Sequence, residues 1–191
     1  HYEKNGSEVR DITDEIPFNI PNSWQWVRLG QICQINPRNI VDDNLDAAFV
    51  PMNMIEDGFQ NRHTYIVKLW KNIKKGFTHF MERDVGIAKI TPCFENRKSV
   101  IFTNLTNGIG SGTTELHILR VYSEILPEYI LFLCKTEYFI GNGIKNFTGT
   151  AGQQRINTQF VKNFLCPLPP VTEQERIINK ISKMFENIEK L

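Results

Sequence analysis

The spacing of hydrophobic residues changes along the chain, and each spacing predicts a different kind of element. Between residues 47 and 121, short apolar runs alternate with polar residues, as in TELHILRV, which is typical of half-buried strands. Turn residues such as Asp57-Gly58 separate these runs. We predict strands in AAFVPMNMI, TYIVKL, DVGIAKITPCF, SVIFTNL and TELHILRV, and a turn in NGIGSGTT.

Longer segments have apolar residues three and four positions apart, which is the spacing of helices. The segment ILPEYILFLCKTEYFIGNG is predicted to be one helix, with Pro127 in its first turn and Gly141 at its end. Short helices are predicted in LWKNIKKGF and TQFVKNFL, and an extended segment in FLCPLPP. Because strands and helices alternate irregularly, we expect an α+β fold with a mixed, twisted, partly antiparallel β-sheet and flanking helices.

The most regular apolar pattern stands at the end of the chain. Thr172 and Glu175 have the spacing of a capping box, which predicts a helix start. The apolar residues that follow form one broad stripe of an amphipathic helix, namely Ile177, Ile178, Ile181, Met184, Phe185, Ile188 and Leu191. No stop signal precedes Leu191, so we expect this helix to be truncated here and to continue in a longer chain. Its stripe must be buried on its own domain or on another helix.

The opposite end of the chain shows no periodic pattern. Residues 1–22 are polar and acidic, and Pro17 and Pro21 favour extended backbone there. We therefore predict an N-terminal tether at 1–22, one packed domain at 23–170 and the helix at 171–191. The chain has 191 residues of which 41% are hydrophobic, and this is enough to form a core for such a domain.

Charge adds a candidate surface to this picture. The net charge is only +1, but residues 1–60 hold 4 cationic and 10 acidic residues, whereas residues 61–100 hold 9 and 3. A basic middle of this kind is typical of a face that binds a polyanion. The alternative is that its lysines form only a solvated helix face.

Motifs for catalysis are missing from the sequence. No phosphate-binding loop and no hydrolase elbow is present, and the four histidines lack the spacing of metal ligands. Glu95 is followed two places later by Arg97 rather than by lysine, which departs from the usual nuclease pattern. The four cysteines are isolated, so we expect free thiols in a reducing cytoplasm. No run of 18 apolar residues predicts a membrane span. We predict no catalytic residues and no metal ligands.

Three stretches of the chain follow the motif order of a known family. IPNSWQWVRLGQI occupies 20–32, AKITPC lies within 82–121, and PLPPVTEQ lies within 149–181. Together they resemble the target recognition domain of the DNA-specificity subunits of type I restriction–modification enzymes. One departure is RDVG at 83–86, where the family more often has Gly-Asp-Val-Leu, and we expect Gly86 to loosen that strand.

The resemblance implies sequence-specific recognition of double-stranded DNA without catalysis. Each recognition domain of such a subunit reads one half of a split site, and spacer helices set the distance between twin domains. It also implies partners: a modification (methyltransferase) subunit, a restriction subunit through the complex, and a twin domain or second specificity fragment at the spacer helix. Any methyl donor or nucleotide would belong to those partners, so no cofactor is expected. The alternatives are an assembly scaffold with little intrinsic DNA binding and a divergent metal-dependent nuclease.

Candidate DNA contacts lie mainly in two loops. In GTAGQQR, Gln153 and Gln154 can pair with base edges and Arg155 with guanine or phosphate, although a structural or phosphate role of this loop is favoured. At the hairpin ENRK, Arg97 and Lys98 are the best phosphate or base contacts. For Glu115, a structural hydrogen bond is favoured over pairing with cytosine. The DNA-binding candidates are Arg62, Lys74, Lys75, Lys89, Thr91, Asn96, Arg97, Lys98, Thr113, Gln153, Gln154 and Arg155.

Overall fold

The computed structural model describes residues 2–5 and 7–188. The strands are β1 (Tyr2–Asn5), β2 (Glu8–Asp11), β3 (Gln25–Arg28), β4 (Cys33–Ile35), β5 (Asp46–Val50), β6 (Ile66–Leu69), β7 (Thr78–Met81), β8 (Val85–Ala88), β9 (Ser99–Ile101), β10 (Ile109–Gly112), β11 (Leu116–Val121) and β12 (Leu165–Leu168). The helices are α1 (Leu29–Ile32), α2 (Trp70–Ile73), α3 (Pro127–Lys135), α4 (Glu137–Lys145), α5 (Thr158–Asn163) and α6 (Val171–Ile188). Short 3-10 turns lie at Thr13–Glu15, Met52–Met54 and Thr106–Gly108.

Two four-stranded sheets form the body of the fold. One has the order β4-β11-β8-β9 and is antiparallel throughout. The other has the order β6-β5-β10-β7, in which β10 runs parallel to β5 and antiparallel to β7. Two further pairs join β1 to β2 and β3 to β12. The predicted α+β class with mixed, partly antiparallel pairing is confirmed, and the pairing is divided among several sheets.

A stacked aromatic pair joins the two large sheets. The rings of Phe80 on β7 and Phe102, which follows β9, are parallel with centroids 3.7 Å apart, and both are fully buried. A Cβ atom on Gly86 would come within 2.6 Å of the Phe102 ring, and one on Gly110 within 2.3 Å of the Phe80 ring. Because both glycines make room for the stacked rings, Gly86 packs its strand closely, and the expectation that it loosens β8 was wrong.

The turn predicted in NGIGSGTT is confirmed only at its start, where Asn107 and Gly108 have positive φ angles in the 3-10 turn Thr106–Gly108. The residues Ile109–Gly112 form β10, which is buried along its length between β5 and β7. Glycine at 110 and 112 allows the close approach of neighbouring chain, since added Cβ atoms would lie 2.6 Å from the Ala48 carbonyl oxygen and 2.2 Å from that of Val50. These glycines therefore serve packing in a strand rather than chain reversal.

The long helix predicted after Pro127 is two helices. Thr136 has extended backbone between α3 and α4, and its hydroxyl accepts a hydrogen bond from the Phe139 amide. The same hydroxyl donates to the Leu133 carbonyl, so it satisfies groups at both helix ends. Gly141 lies inside α4, which ends four residues later.

Both ends of the chain depart from the predicted pattern. The stretch predicted as a tether contains the β1–β2 hairpin and the 3-10 turn Thr13–Glu15. Arg28 forms ion pairs of 2.7 Å to Glu3 of the hairpin and 2.8 Å to Glu15 of the turn. At the other end α6 begins at Val171, so Thr172 lies inside the first turn and does not cap the helix. Instead the buried amide of Gln174 bonds the Pro169 carbonyl and the Leu126 amide. Leu191 lies outside the described residues.

Candidate nucleic-acid interface

The candidate residues of two distant segments meet around Glu115, just before β11. The Arg155 guanidinium donates two hydrogen bonds of 2.9 Å to the Glu115 carboxylate and a third of 2.7 Å to the Gln153 carbonyl. The hydrogen bonds from Arg155 lower the pKa of Glu115. The Thr113 hydroxyl accepts a hydrogen bond from the Glu115 amide at 3.1 Å.

Backbone hydrogen bonds add Lys89 and Thr91 to this group. The Lys89 amide donates to the Glu115 carbonyl at 2.9 Å, and the Thr91 amide donates to the Gln154 carbonyl at 3.0 Å. We call the assembled residues the Glu115 cluster: Lys89, Thr91, Thr113, Glu115, Gln153, Gln154 and Arg155. Six of the twelve DNA-binding candidates are thus neighbours, although up to 66 positions separate them in the chain.

The Glu115 cluster presents neutral polar groups to solvent. Gln153 is exposed and Gln154 half-buried, on a loop in which Gly149 and Gly152 have positive φ angles of 107° and 79°. Among the described residues, the Lys89 ammonium forms no ion pair, whereas Arg155 has its charge matched by Glu115. The arrangement favours a structural role for Arg155 and leaves the amides and Lys89 open to a ligand.

A second group of candidates lies at the turn of Asn96, Arg97 and Lys98, which we call the 96–98 turn. Arg97 has a positive φ of 56°, and its side chain donates to the Lys135 carbonyl at 3.0 Å and to Glu137 at 2.8 Å. Lys98 forms a 3.0 Å ion pair with Asp57. The Glu137 and Asp57 side chains are 80% and 55% exposed, whereas those of Arg97 and Lys98 are 27% and 14% exposed. Exposed carboxylates of this kind gain little from pairing, so a phosphate that reaches either cation can replace them.

Lys135 supports this turn, and no sequence pattern pointed to it. It is fully buried at the end of α3, and its ammonium donates to the carbonyls of Gly58 at 2.7 Å and Arg97 at 3.0 Å. Burial lowers the pKa of Lys135 to about 8. Its only signal in the sequence is a single lysine that closes the apolar run ILFLC.

The remaining candidates lie apart from the Glu115 cluster. Arg62 pairs with Glu56 at 3.4 Å on the loop whose Gly58 amide bonds the Asn96 carbonyl, so it neighbours the 96–98 turn. Lys74 follows α2 and pairs with Asp43 at 2.5 Å, and the exposed Lys75 comes next to it. The contacts of the described residues thus gather ten of the candidates into two groups and leave Lys74 and Lys75 at a third place.

Helix α6 carries its apolar stripe partly on the domain and partly in the open. Ile177 and Ile178 pack on the core, and the Phe185 ring lies 5.6 Å from that of Phe59. Met184 and Ile188 are 55% and 62% exposed. A groove of about 430 Å³ with an almost wholly apolar lining runs beside the helix, and we call it the α6 groove. Its lining includes Phe18, Trp24, Phe59, Phe132, Ile181 and Phe185.

Two kinds of site were not found within residues 2–5 and 7–188. No three His, Cys, Asp or Glu side chains lie close enough together to hold a metal ion. None of the helices described is both long and apolar enough to cross a membrane. The four cysteines are free thiols, and three of them are buried in the core beside α1, α3 and β12.

Family comparison matches almost the whole chain. The model of the type I restriction modification DNA specificity domain matches residues 21–190. The chain is 44% identical over 180 residues to the type I restriction enzyme EcoAI specificity subunit of Escherichia coli, and 45% identical over 179 residues to the EcoEI specificity subunit. Each alignment covers 93% of this chain, but only 31% and 30% of the relatives, so the chain spans about a third of their length.

Solved structures share the fold. The HsdS subunit from Thermoanaerobacter tengcongensis superimposes with a TM-score of 0.75 at 23% identity, covering 93% of this chain and 46% of that one. A chain from a structure of complex assembly and conformational transition of the type I R-M system has the same TM-score at 22% identity. That alignment covers 91% of this chain and 45% of the other. At such identities the likeness establishes a common fold.

Proposed function

Because this chain belongs to the family of type I restriction–modification DNA specificity domains, we propose that it is a non-catalytic module that reads one half of a split site in double-stranded DNA. The observation that carries this proposal is the Glu115 cluster, where the exposed Gln153 and the half-buried Gln154 lie on one loop and the Lys89 ammonium has no ion-pair partner in the described part of the chain. Neutral donors and acceptors suit base edges, because they gain little from phosphate alone, whereas Lys89 suits the backbone.

In this proposal the two groups of candidates have different roles in DNA binding. Gln153 and Gln154 face base edges, Thr91 supports them through its amide bond to the Gln154 carbonyl, and Arg155 holds their loop through Glu115 rather than touching DNA. Arg97 and Lys98 exchange their exposed carboxylate partners for phosphates, with Arg62 beside them. Lys74 and Lys75 remain secondary phosphate contacts at the edge of the same duplex.

We also propose the partners that the family implies. The open part of the α6 stripe and the α6 groove suit an antiparallel helix from a twin recognition domain or a second specificity fragment. The complex would contain a modification subunit and, through it, a restriction subunit in the cytoplasm. Methyl donor and nucleotide would bind those subunits, and this chain would need no cofactor.

One observation favours a second function, that of an assembly scaffold with little DNA affinity of its own. Five of the candidate cations pair with carboxylates: Arg62, Lys74, Arg97, Lys98 and Arg155. Each pair must be exchanged before a phosphate can bind, which reduces the gain from the contact. On this reading DNA contact would arise only in the assembled complex, and the two functions are compatible.

Methylation mapping of the host genome tests the proposed function. We expect one split motif to be methylated in cells that carry the intact specificity subunit and to be unmethylated when this segment is deleted. Replacing Gln153 and Gln154 by alanine should change or abolish one half of the motif and leave the other half intact. An unchanged methylome after deletion of the segment would contradict the proposal.

A further inference from the structure

A short loop touches both the 96–98 turn and the helix α6. This loop consists of Asp57, Gly58 and Phe59, and we call it the 57–59 loop. The Arg97 guanidinium lies over the Phe59 ring at 5.5 Å, and the Phe185 ring of α6 lies 5.6 Å from the same ring. Phe59 therefore stands between a candidate DNA contact and the helix that the family uses as a spacer.

Polar contacts attach the same loop to the turn. The Gly58 amide donates to the Asn96 carbonyl at 2.8 Å, and Lys98 pairs with Asp57 at 3.0 Å. Three independent contacts, one of them aromatic, thus join two segments of three residues each. A displacement of the loop must break these contacts or move the turn with it.

Lys135, buried at the end of α3, connects the 57–59 loop to the 96–98 turn. Its buried ammonium donates to one carbonyl of the loop, that of Gly58, and to one carbonyl of the turn, that of Arg97. A buried cation that lost either acceptor would be left underbonded, so these two bonds hold the loop and the turn at a fixed distance. Arg97 in turn donates to the Lys135 carbonyl, which ties both segments to the end of α3.

We propose that Phe59 and Lys135 are positioning residues that couple the packing of α6 to the conformation of the 96–98 turn. The contact of Phe185 with Phe59 restrains the 57–59 loop, and Lys135 transmits that restraint to Arg97. The spacer helix thereby sets how well a DNA-contacting turn is ordered, in addition to setting a distance. The part of this inference that concerns DNA rests on the proposed function.

Hydrogen exchange on this chain tests the coupling without DNA. Phe185→Ala should accelerate exchange of the Gly58 and Lys98 amides roughly threefold to tenfold, the scale of its lost ring contact with Phe59. Its ring contact with Phe132 of α3, at 6.4 Å, is lost as well, and the Phe59 variant separates the two. Phe18→Ala is the matched control, because its ring lines the same groove but contacts Trp26 and Tyr138 instead. Phe59→Ala should reproduce the effect of Phe185→Ala. Equal exchange in the Phe185 and Phe18 variants would overturn the coupling.

Binding of the assembled complex to a pool of random-sequence duplexes tests the DNA part. Arg97→Ala and Phe185→Ala should each weaken binding, and the double variant should bind no worse than Arg97→Ala alone, since the helix acts through the turn. Two independent, multiplying losses would overturn the relay through Arg97. Failure of the wild-type complex to retain any duplex would overturn the proposed function and the DNA part, whereas the exchange experiment would still decide the coupling.

Discussion

The guanidinium of Arg155 forms two hydrogen bonds of 2.9 Å with the carboxylate of Glu115, which lies 40 residues earlier in the chain. The pair is partly buried and bidentate, a geometry that lysine cannot reproduce. It fixes the loop that carries Gln153 and Gln154 against the start of β11. Arg155 therefore acts on the orientation of two amides, and its own charge is matched within the domain.

This geometry predicts that Arg155→Lys and Arg155→Gln lose selectivity rather than phosphate contact. Discrimination between the methylated motif and a duplex changed in one half should fall roughly tenfold, about the effect of one mismatched base pair. The slope of log Kobs against log salt should stay unchanged in both variants, as measured by competition binding of the assembled complex. A slope reduced by about 0.9 in Arg155→Gln would instead identify a phosphate contact.

The 96–98 turn predicts the opposite behaviour. Arg97→Ala combined with Lys98→Ala should weaken binding to every duplex similarly and reduce the salt slope by about 1.8, because two phosphate contacts are lost. A salt titration of the assembled complex measures this slope. The matched control is Lys180→Ala with Lys183→Ala, which removes two exposed cations from α6 and should leave the slope unchanged. Equal slopes in the two double variants would argue against the turn as a phosphate site.

Local patterns predicted elements whose pattern lies within one segment, and failed where a distant segment decides the structure. Alternating apolar residues predicted the segments that contain β5, β6, β8, β9 and β11. The alternation of buried and exposed side chains is visible in each strand's own sequence, so these predictions needed no distant contact. The strand inside NGIGSGTT was not predicted, because Gly110 and Gly112 make room for the ring of Phe80, about 30 residues away, and no local pattern contains that ring. The helix break at Thr136 was missed since apolar residues continue on both sides of it.

The candidate site was likewise predictable only where it depends on local sequence. The neutral loop at Gln153 and Gln154 was recognisable from its composition and from the family resemblance. Its joining with Lys89 and Thr91 depends on backbone pairing between distant segments, and the ion pair of Glu115 with Arg155 depends on the same pairing. Lys135 was missed because its role follows from burial, and burial comes from packing that only the tertiary structure specifies.

A glycine beside the stacked rings and a glycine inside α4 are predicted to respond oppositely to substitution by alanine. Gly110→Ala should lower the free energy of unfolding by about 1–3 kcal/mol or more, because its Cβ would overlap Phe80 and the Ala48 carbonyl oxygen. Gly141→Ala in α4 should raise it by up to about 1 kcal/mol, since only the Glu137 side chain comes near, at 3.5 Å. Urea unfolding followed by circular dichroism measures both, and equal effects would contradict the packing described.

Three buried thiols predict a loss of stability in alkali. Burial raises the pKa of Cys33 to about 12 and raises those of Cys134 and Cys166 as well, from an ordinary value of 9.0. The unfolded chain therefore releases protons above pH 9 that the folded chain retains, so stability present below pH 9 is lost as the pH rises. Each thiol contributes up to about 1.4 kcal/mol per pH unit.

The Lys135 ammonium has the opposite effect on the pH dependence of stability. Lys135 has a folded pKa of about 8, below its unfolded value of 10.5, so it adds stability as the pH rises between these values. A single ammonium does not offset three thiols, and urea unfolding at pH 8 and pH 10 should show a net loss. Cys166→Ala should reduce that loss by one thiol's share. An unchanged pH dependence in this variant would show that Cys166 ionises alike in both states.

The exposed end of α6 predicts that assembly can be separated from folding. Met184 and Ile188 continue the apolar stripe beyond the core, where another helix can cover them. Met184→Glu with Ile188→Glu should change the free energy of unfolding by less than about 0.5 kcal/mol, because both side chains are already largely in water. The same double substitution should prevent co-elution with a second specificity fragment that carries the twin domain, because carboxylates cannot be buried in an apolar helix interface without partners.

Size-exclusion chromatography of the mixed fragments measures co-elution. Lys180→Glu with Lys183→Glu adds the same number of carboxylates to the polar face and should preserve co-elution. If both double variants co-elute like the wild type, the stripe is not the assembly surface.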